Sequence, residues 1–227
     1  IMLPSRVLAL GGLVAAASLS FGAPAMSAIY LNKDLITVAV GPGTSPGTFN
    51  NTFTNSPGLT IEKVIDAPSA DAEEFHDQNT HIWFTADAVG GGLELLFDFQ
   101  QEYDISTLHF WNYTAEGYDV DNILFTFYNG ANALVGSLSV NPALGSPGGI
   151  KAEDIALAAP PNVRYVTAFL TGSNREVDFQ NIGFTADVST PITGGIPEPS
   201  TWAVMILGFG MAGAAIRGRR IGARVSA

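Results

Sequence analysis

The sequence predicts an all-β fold, an antiparallel β-sandwich or jelly roll, for the middle of the chain. Short alternating or apolar runs are separated there by Gly, Pro, Asn and Asp. No stretch between the two ends keeps an apolar face at the i, i+3, i+4, i+7 spacing of a helix. About ten strands without crossover helices favour antiparallel pairing. No repeat of fixed period is visible, which argues against a propeller or a solenoid.

Residues 1–28 have the pattern of a Sec-type signal peptide with a helical apolar core. Arg6 precedes a short apolar run at 7–17, and small residues lead to an Ala-x-Ala-like exit at 23–28. The run is too short to span a membrane comfortably as a permanent anchor. We expect cleavage between Ala25 and Ile29, and an N-terminal membrane anchor is the alternative.

One strand domain is predicted over residues 29–189. In the run 93–99, four bulky apolar residues alternate with more polar positions that include Glu94 and Asp98, as in a half-buried strand. Turn-rich loops are expected at 41–58 and 141–151. The predicted strands are Leu35–Val40, Leu59–Ile65, His81–Asp87, Leu93–Phe99, Thr107–Tyr113, Asn122–Asn129, Ala133–Val140, Ile155–Ala158, Arg164–Thr171 and Glu176–Ala186.

The body of the chain is strongly acidic. Residues 29–196 contain 5 Lys/Arg and 20 Asp/Glu, a net charge of −15. A surface of this sign repels phosphate backbones, so nucleic-acid binding is disfavoured. Such a surface favours solubility or the binding of divalent cations. The chain has no cysteine, which excludes thiolate metal sites and cysteine nucleophiles.

After a linker at 190–196, the segment 197–227 has the features of a sorting tail. A membrane helix is predicted at 202–216, beginning after two prolines that no helix interior would hold. Its length is about 22 Å, against a hydrocarbon core of about 30 Å. Such a helix is a marginal anchor, suited to a protein that is held briefly and then cut. The residues that define the tail are Pro197, Glu198, Pro199, Trp202, Ala203, Arg217, Arg219 and Arg220.

This tail closely resembles the PEP-CTERM sorting signal in its Trp-Ala variant. The resemblance implies passage through the Sec translocon, cleavage by signal peptidase and transient anchoring in the inner membrane. The protease exosortase would then recognise the Pro-Glu-Pro segment and deliver the protein to the cell surface or extracellular matrix. A plain tail anchor is the alternative.

Residues 60–186 resemble, more weakly, the discoidin-like branch of galactose-binding-like domains. The resemblance rests on the runs 93–99, 103–113, 162–168 and 179–184, with Val-Ile-Asp at 64–66 and Trp83 upstream. It implies a carbohydrate-binding-like sandwich. Many members of that family bind calcium, which here implies Asp66, Asp71 and Asn181 as ligands, although Asn181 stands where the family has Glu. A solvated acidic loop is the alternative.

A candidate sugar site combines aromatic rings with polar groups near the end of one strand. Its members would be Trp111, Asn112, Tyr113, Glu116, Tyr118 and Asp119, unless Trp111 lies in the core between the sheets. Carboxylates among Glu116, Asp119 and Asp121 could form a glycosidase pair, but that segment is equally typical of a turn. No nucleophile elbow or phosphate loop occurs.

The sequence therefore predicts a non-catalytic surface or matrix protein that contacts exopolysaccharide. A polysaccharide-active enzyme and a purely structural matrix component are the alternatives.

Overall fold

The computed structural model describes residues 28–50, 60–77, 81–190 and 206–207, and within them the chain forms twelve strands and one short 3-10 helix. The helix is Ile61–Ile65. The strands are β1 Ile29–Leu31, β2 Thr37–Val40, β3 Gly47–Phe49, β4 Glu73–Glu74, β5 Ile82–Ala86, β6 Leu93–Asn112, β7 Asn122–Tyr128, β8 Leu134–Val140, β9 Ile150–Lys151, β10 Glu153–Ala156, β11 Val163–Thr171 and β12 Glu176–Val188.

The chain divides between Val188 and Ser189 into two compact units, and all twelve strands belong to the first. Nearly all of the predicted signal peptide and of the predicted membrane helix lies outside the described residues, as do all eight residues that define the sorting tail. Over the ranges given above, no helix has the length and apolar character needed to cross a membrane.

Every strand pair is antiparallel. Seven strands follow the order β3-β5-β12-β6-β11-β7-β8, while β1 pairs with β12, and both β2 and β10 pair with β6. Strands β4 and β9 form a separate two-stranded ribbon. The prediction of an all-β antiparallel fold is confirmed.

The long strand β6 belongs to both layers of the sandwich. Its first half pairs with β11 and β2, and its second half pairs with β12 and β10. Between the halves, Gln100 has φ 65° and the register against β11 shifts, which marks a β-bulge. The predicted strands Leu93–Phe99 and Thr107–Tyr113 are therefore one continuous strand that turns from one layer into the other.

Aromatic rings join the two layers. The ring of Phe184 on β12 lies 5.5 Å from Phe97 and 5.2 Å from Phe99 on β6, and 6.3 Å from Phe125 on β7. All four side chains are buried. The period of two predicted for residues 93–99 is confirmed, because its bulky members all enter this core.

The prediction of a strand at Leu59–Ile65 is wrong, because residues 61–65 form the 3-10 helix. Ile61, Val64 and Ile65 are buried there, at the i, i+3, i+4 spacing that brings side chains to one face of a helix. The predicted loop at 41–58 also contains the short strand β3, which pairs with β5.

Candidate functional site

The antiparallel register of β5 and β12 brings polar side chains together on the outer face of the sheet. Trp83 is paired with Asp178, and Thr85 with Glu176, so these four side chains share a face. Glu176 Oε2 accepts a hydrogen bond from Trp83 Nε1 at 2.8 Å and another from Thr85 Oγ1 at 2.6 Å. The Glu176 carboxylate therefore fixes the orientation of the indole.

The loop between β6 and β7 brings two tyrosines over this face, and Asn112 holds that loop. Asn112 Oδ1 accepts from the backbone N–H of Tyr113 and of Val120, both at 2.9 Å. Its Nδ2 donates to the carbonyls of Val120 and Ala143. The backbone N–H of Asp178 donates to the Tyr118 carbonyl at 2.9 Å, which ties the loop to β12.

These elements enclose a cavity of about 300 Å³, which we call the aromatic pocket. Ring centroids are 6.2 Å apart for Trp83 and Tyr118, 6.3 Å for Tyr113 and Tyr118, and 5.1 Å for His76 and Tyr113. The rings therefore form a continuous wall. The residues that line the pocket are His76, Trp83, Tyr113, Ala115, Tyr118 and Asp178.

Asp178 is the most unusual group in this wall. Its side chain is 2% exposed, and Oδ1 accepts no hydrogen bond from any residue that the structure describes. His81 Nδ1 lies 4.0 Å away, which is too long for a hydrogen bond. Burial, with a smaller contribution from Glu176, raises the pKa of Asp178 to about 8. A buried carboxyl group of this kind keeps its proton near neutral pH.

His81 stays neutral under the same conditions. Burial lowers its pKa to about 4, with help from His76 and Lys63. Its Nδ1 lies 3.3 Å from the side-chain amide nitrogen of Gln180, so Nδ1 accepts that amide's hydrogen bond and the ring proton lies on Nε2. His81 therefore does not act as a cationic partner for Asp178.

Two of the predicted sugar-site residues, Tyr113 and Tyr118, meet in the pocket, and Tyr118 is 45% exposed. Trp111 does not join them, because its indole is fully buried beside Ala67 and Ile150 and its Nε1 donates to the Ala72 carbonyl at 2.9 Å. Trp111 is therefore buried, but in a small cluster separate from the core between the layers, so the alternative is met only in its burial.

The other three predicted sugar-site residues do not line the pocket. Asn112 is buried and positions the loop. Glu116 and Asp119 form a group with Asp121 in which one oxygen from each lies within 4.8 Å of the others. Asp119 Oδ1 accepts from the Gly117 N–H, and Asp121 accepts from the Ser173 N–H, so these carboxylates shape the turn. Burial raises the pKa of Asp119, and the negative charges of Asp121 and Glu116 raise it further.

The surroundings of Asp66 add no support to the calcium prediction. Asn181 offers Asp66 an N–H rather than an oxygen, with Nδ2 donating to Asp66 Oδ1 at 2.9 Å. Lys33 and Lys63 line the same 180 Å³ cavity as Asp66, and ammonium groups compete with a cation. Asp71 is exposed. Calcium binding by Asp66, Asp71 and Asn181 stays a prediction.

The sequence reasoning did not assign Trp83, His76 or Asp178 to the site. Alternation in β5 gives a signal for Trp83, since Ile82 and Phe84 enter the core and a large aromatic residue is left on the opposite face. Asp178 stands between two buried apolar residues, Val177 and Phe179. For Asp178, the signal in the sequence is an acidic residue inside an otherwise apolar run of a strand.

The comparisons with known proteins concern two separate parts of the chain. Residues 195–220 match a family model described as the PEP-CTERM protein-sorting motif. The chain thus carries the sorting motif that its C-terminal sequence resembles, and this motif indicates export to the cell surface or the extracellular space. A comparison with curated proteins finds no match.

Solved structures similar to this chain include an F5/8 type C domain and carbohydrate-binding modules. An F5/8 type C domain from Bacteroides fragilis is 11% identical, with 73% of this chain and 99% of that chain covered and a TM-score of 0.48. A family 32 module from C. perfringens, solved with galactose, is 9% identical, with coverages of 70% and 99% and a TM-score of 0.44. The module CBM62 from Clostridium thermocellum is 17% identical, with coverages of 65% and 97% and a TM-score of 0.39.

Proposed function

We propose that the strand domain is a non-catalytic carbohydrate-binding module and that the aromatic pocket takes one sugar unit. The observation that carries the proposal is the combination of Trp83, Tyr113 and Tyr118 around one cavity with Asp178 in its wall. A sugar ring has an apolar face that stacks on aromatic rings and hydroxyl groups that bond to polar atoms. A cavity of about 300 Å³ is at the lower end of the range for ligand pockets, which suits a small ring.

The sorting motif supports a location where such a module meets polysaccharide. In this proposal the chain passes the Sec translocon, loses its signal peptide to signal peptidase, and stays in the inner membrane until exosortase acts at residues 197–199. The released domain then contacts exopolysaccharide on the surface or in the matrix. Its acidic body keeps it soluble there.

Titration of the purified domain with glycans chosen from an array tests the proposal. Replacing Trp83 or Tyr118 by alanine removes one stacking ring, so we expect affinity to fall about tenfold or more. Tyr128→Ala is the matched control, because Tyr128 lies on β7 and does not line the pocket. Tyr118→Ala guards against a folding defect, since Tyr118 is not part of the buried core.

The alternatives give different results in the same experiments. Release of oligosaccharides from the organism's own exopolysaccharide would identify an enzyme and contradict a purely binding role. Absence of binding to every glycan, with the domain folded, would favour a structural matrix component. Equal losses in Tyr128→Ala and Tyr118→Ala would show that the aromatic pocket is not the site.

A further inference from the structure

We propose that the aromatic pocket selects a sugar that carries a free ammonium group, an amino sugar, over its N-acetylated or neutral counterpart. This inference rests on the proposed function, because it names the ligand class of the same pocket. It follows from three features of the wall, namely the rings, the buried carboxyl group and the charges that surround them.

The rings form an arrangement suited to a cation. Trp83, Tyr113 and Tyr118 stand around one small cavity, with ring centroids 6.2 and 6.3 Å apart along the wall. The negative faces of aromatic rings attract an ammonium group, most strongly for Trp, and this attraction grows when the site is desolvated. Several rings around one space can therefore hold a charged amine as well as the body of a sugar.

The carboxyl group of Asp178 offers the hydrogen-bond partner that an ammonium group needs. It lines the pocket while being 2% exposed, and the described part of the chain supplies no donor to its Oδ1. A buried polar atom without a partner costs free energy until something bonds to it. An ammonium group donates hydrogen bonds and also supplies the charge that a buried carboxylate requires.

The charged group that acts most on Asp178 is negative. Glu176, on the same strand, is held by Trp83 and Thr85 and adds negative charge. His81 on the β5 side has a pKa lowered to about 4, and His76 and the two tyrosines complete the wall. No Lys or Arg lines the pocket among the residues that the structure describes. A cationic ligand therefore meets no Lys or Arg side chain in the described lining.

Proton release provides a distinctive signature of this pairing. Without a ligand, burial holds the pKa of Asp178 at about 8, so the group is protonated at about pH 6. Pairing with an ammonium group favours the carboxylate, and the proton leaves to the buffer. Binding of an amino sugar at about pH 6 is therefore expected to release close to one proton.

Calorimetry with matched sugars tests the inference. The probes are methyl glycosides of glucosamine, galactosamine and mannosamine, each with its N-acetylated and its neutral counterpart, in buffers of different ionisation enthalpy. We expect at least tenfold tighter binding of one amino sugar than of its counterparts, with proton release. Choline forms a separate arm, since it carries the cation without a sugar ring.

Asp178→Asn keeps the shape of the side chain and removes its ability to become a carboxylate when the ligand binds. We expect this variant to lose the preference for the amino sugar and the proton release. Asp34→Asn removes the same unit of charge from an exposed loop and controls for the overall field of the acidic body. It is expected to retain the preference.

Other results would contradict either the preference for an ammonium group or the proposed sugar-binding function. Equal or tighter binding of the N-acetylated or neutral sugar contradicts the ammonium inference and leaves the sugar site intact. Binding of choline as tightly as the amino sugar contradicts the proposed sugar-binding function. Absence of binding by every probe to the folded domain, with a glycan of the array still bound, overturns this inference alone; absence of binding to the probes and to the array overturns the proposed function as well. An unchanged preference in Asp178→Asn excludes Asp178 as the selecting group.

Discussion

Asp178 Oδ1 and His81 Nδ1 lie 4.0 Å apart, and burial moves the pKa values of the two side chains in opposite directions. The raised pKa of Asp178 gives stability that is present at low pH and is lost as pH rises from about 4 to about 8. The lowered pKa of His81 gives stability that is present above pH 6.5 and is lost as pH falls from 6.5 to about 4. The two effects oppose each other between about pH 4 and 6.5.

We therefore predict that the opposing effects of these two groups leave the free energy of unfolding nearly constant from about pH 4 to 6.5. Above pH 6.5 the effect of Asp178 is no longer opposed, and the free energy of unfolding falls. Of these two groups, Asp178 alone changes the free energy of unfolding between pH 6.5 and about 8. At about 1.4 kcal/mol per pH unit, the free energy of unfolding falls by about 2 kcal/mol across this window. Urea unfolding at a series of pH values measures the change. In Asp178→Asn this decrease should disappear, and an unchanged slope in that variant would contradict the assignment.

Asn112 illustrates how one buried amide controls a loop. Its side chain makes hydrogen bonds to Tyr113, Val120 and Ala143 while being 1% exposed. Asn112→Ala leaves these backbone groups without their partner, so we predict a loss of about 3 kcal/mol in the free energy of unfolding.

The matched control is Asn122→Ala. Asn122 also donates several hydrogen bonds, to Ser139, Val140 and Asn141, but at a more exposed position where water replaces them. A loss below about 1 kcal/mol is expected there. Denaturant unfolding measures both variants, and similar losses would show that Asn112 is not the main support of the loop.

At the level of strands, the bulge in β6 is the feature that lets one strand serve two layers. Gln100 adopts φ 65°, the left-handed region that glycine enters without steric cost. We predict that Gln100→Gly preserves stability or raises it by up to about 1 kcal/mol. Gln101→Gly, at the next residue, lacks this benefit and should cost about 0.5–1 kcal/mol. Thermal unfolding compares them, and an equal loss in both variants would contradict the strain at Gln100.

Strand β6 also shows which features a sequence pattern predicts and which it does not. Alternation identified the segments 93–99 and 107–113, because each half of β6 buries one face. It did not reveal that they are continuous, because the bulge depends on left-handed Gln100, and glutamine is not a residue that marks such a position. Short edge strands such as Ile29–Leu31 escaped prediction because three residues carry almost no periodicity.

The candidate site likewise contains residues that the sequence predicted and residues that only the fold brings together. Tyr113 and Tyr118 were predicted because they are five positions apart, one at the end of a predicted strand and the other in the loop that follows it. Trp83 and Asp178 are distant in sequence, and only the register of β5 against β12 pairs them. That register depends on tertiary packing that no local pattern encodes. The sequence thus predicted the part of the pocket that comes from neighbouring residues, Tyr113 and Tyr118. It did not predict the part that β5 and β12 supply, Trp83 and Asp178.

For the whole molecule, the order of segments leads to a prediction about its mature form. The helix predicted at 202–216 spans about 22 Å, short of a hydrocarbon core of about 30 Å. A helix of this kind holds the chain only briefly, and the sorting motif matched at 195–220 contains the Pro-Glu-Pro segment at which we propose that exosortase acts. We predict that the surface-exposed protein lacks everything after about Pro199, and intact-mass measurement of that protein tests this.

A chain in which Pro197 and Pro199 are both replaced by alanine should keep its tail and stay with the membrane, because the segment that exosortase recognises is gone. The strands of the first unit end at Val188, before the tail begins, and pair among themselves. A surface species that still carries Arg220, or folded protein confined to the cytosol, would contradict this account of how the acidic strand domain reaches the outside.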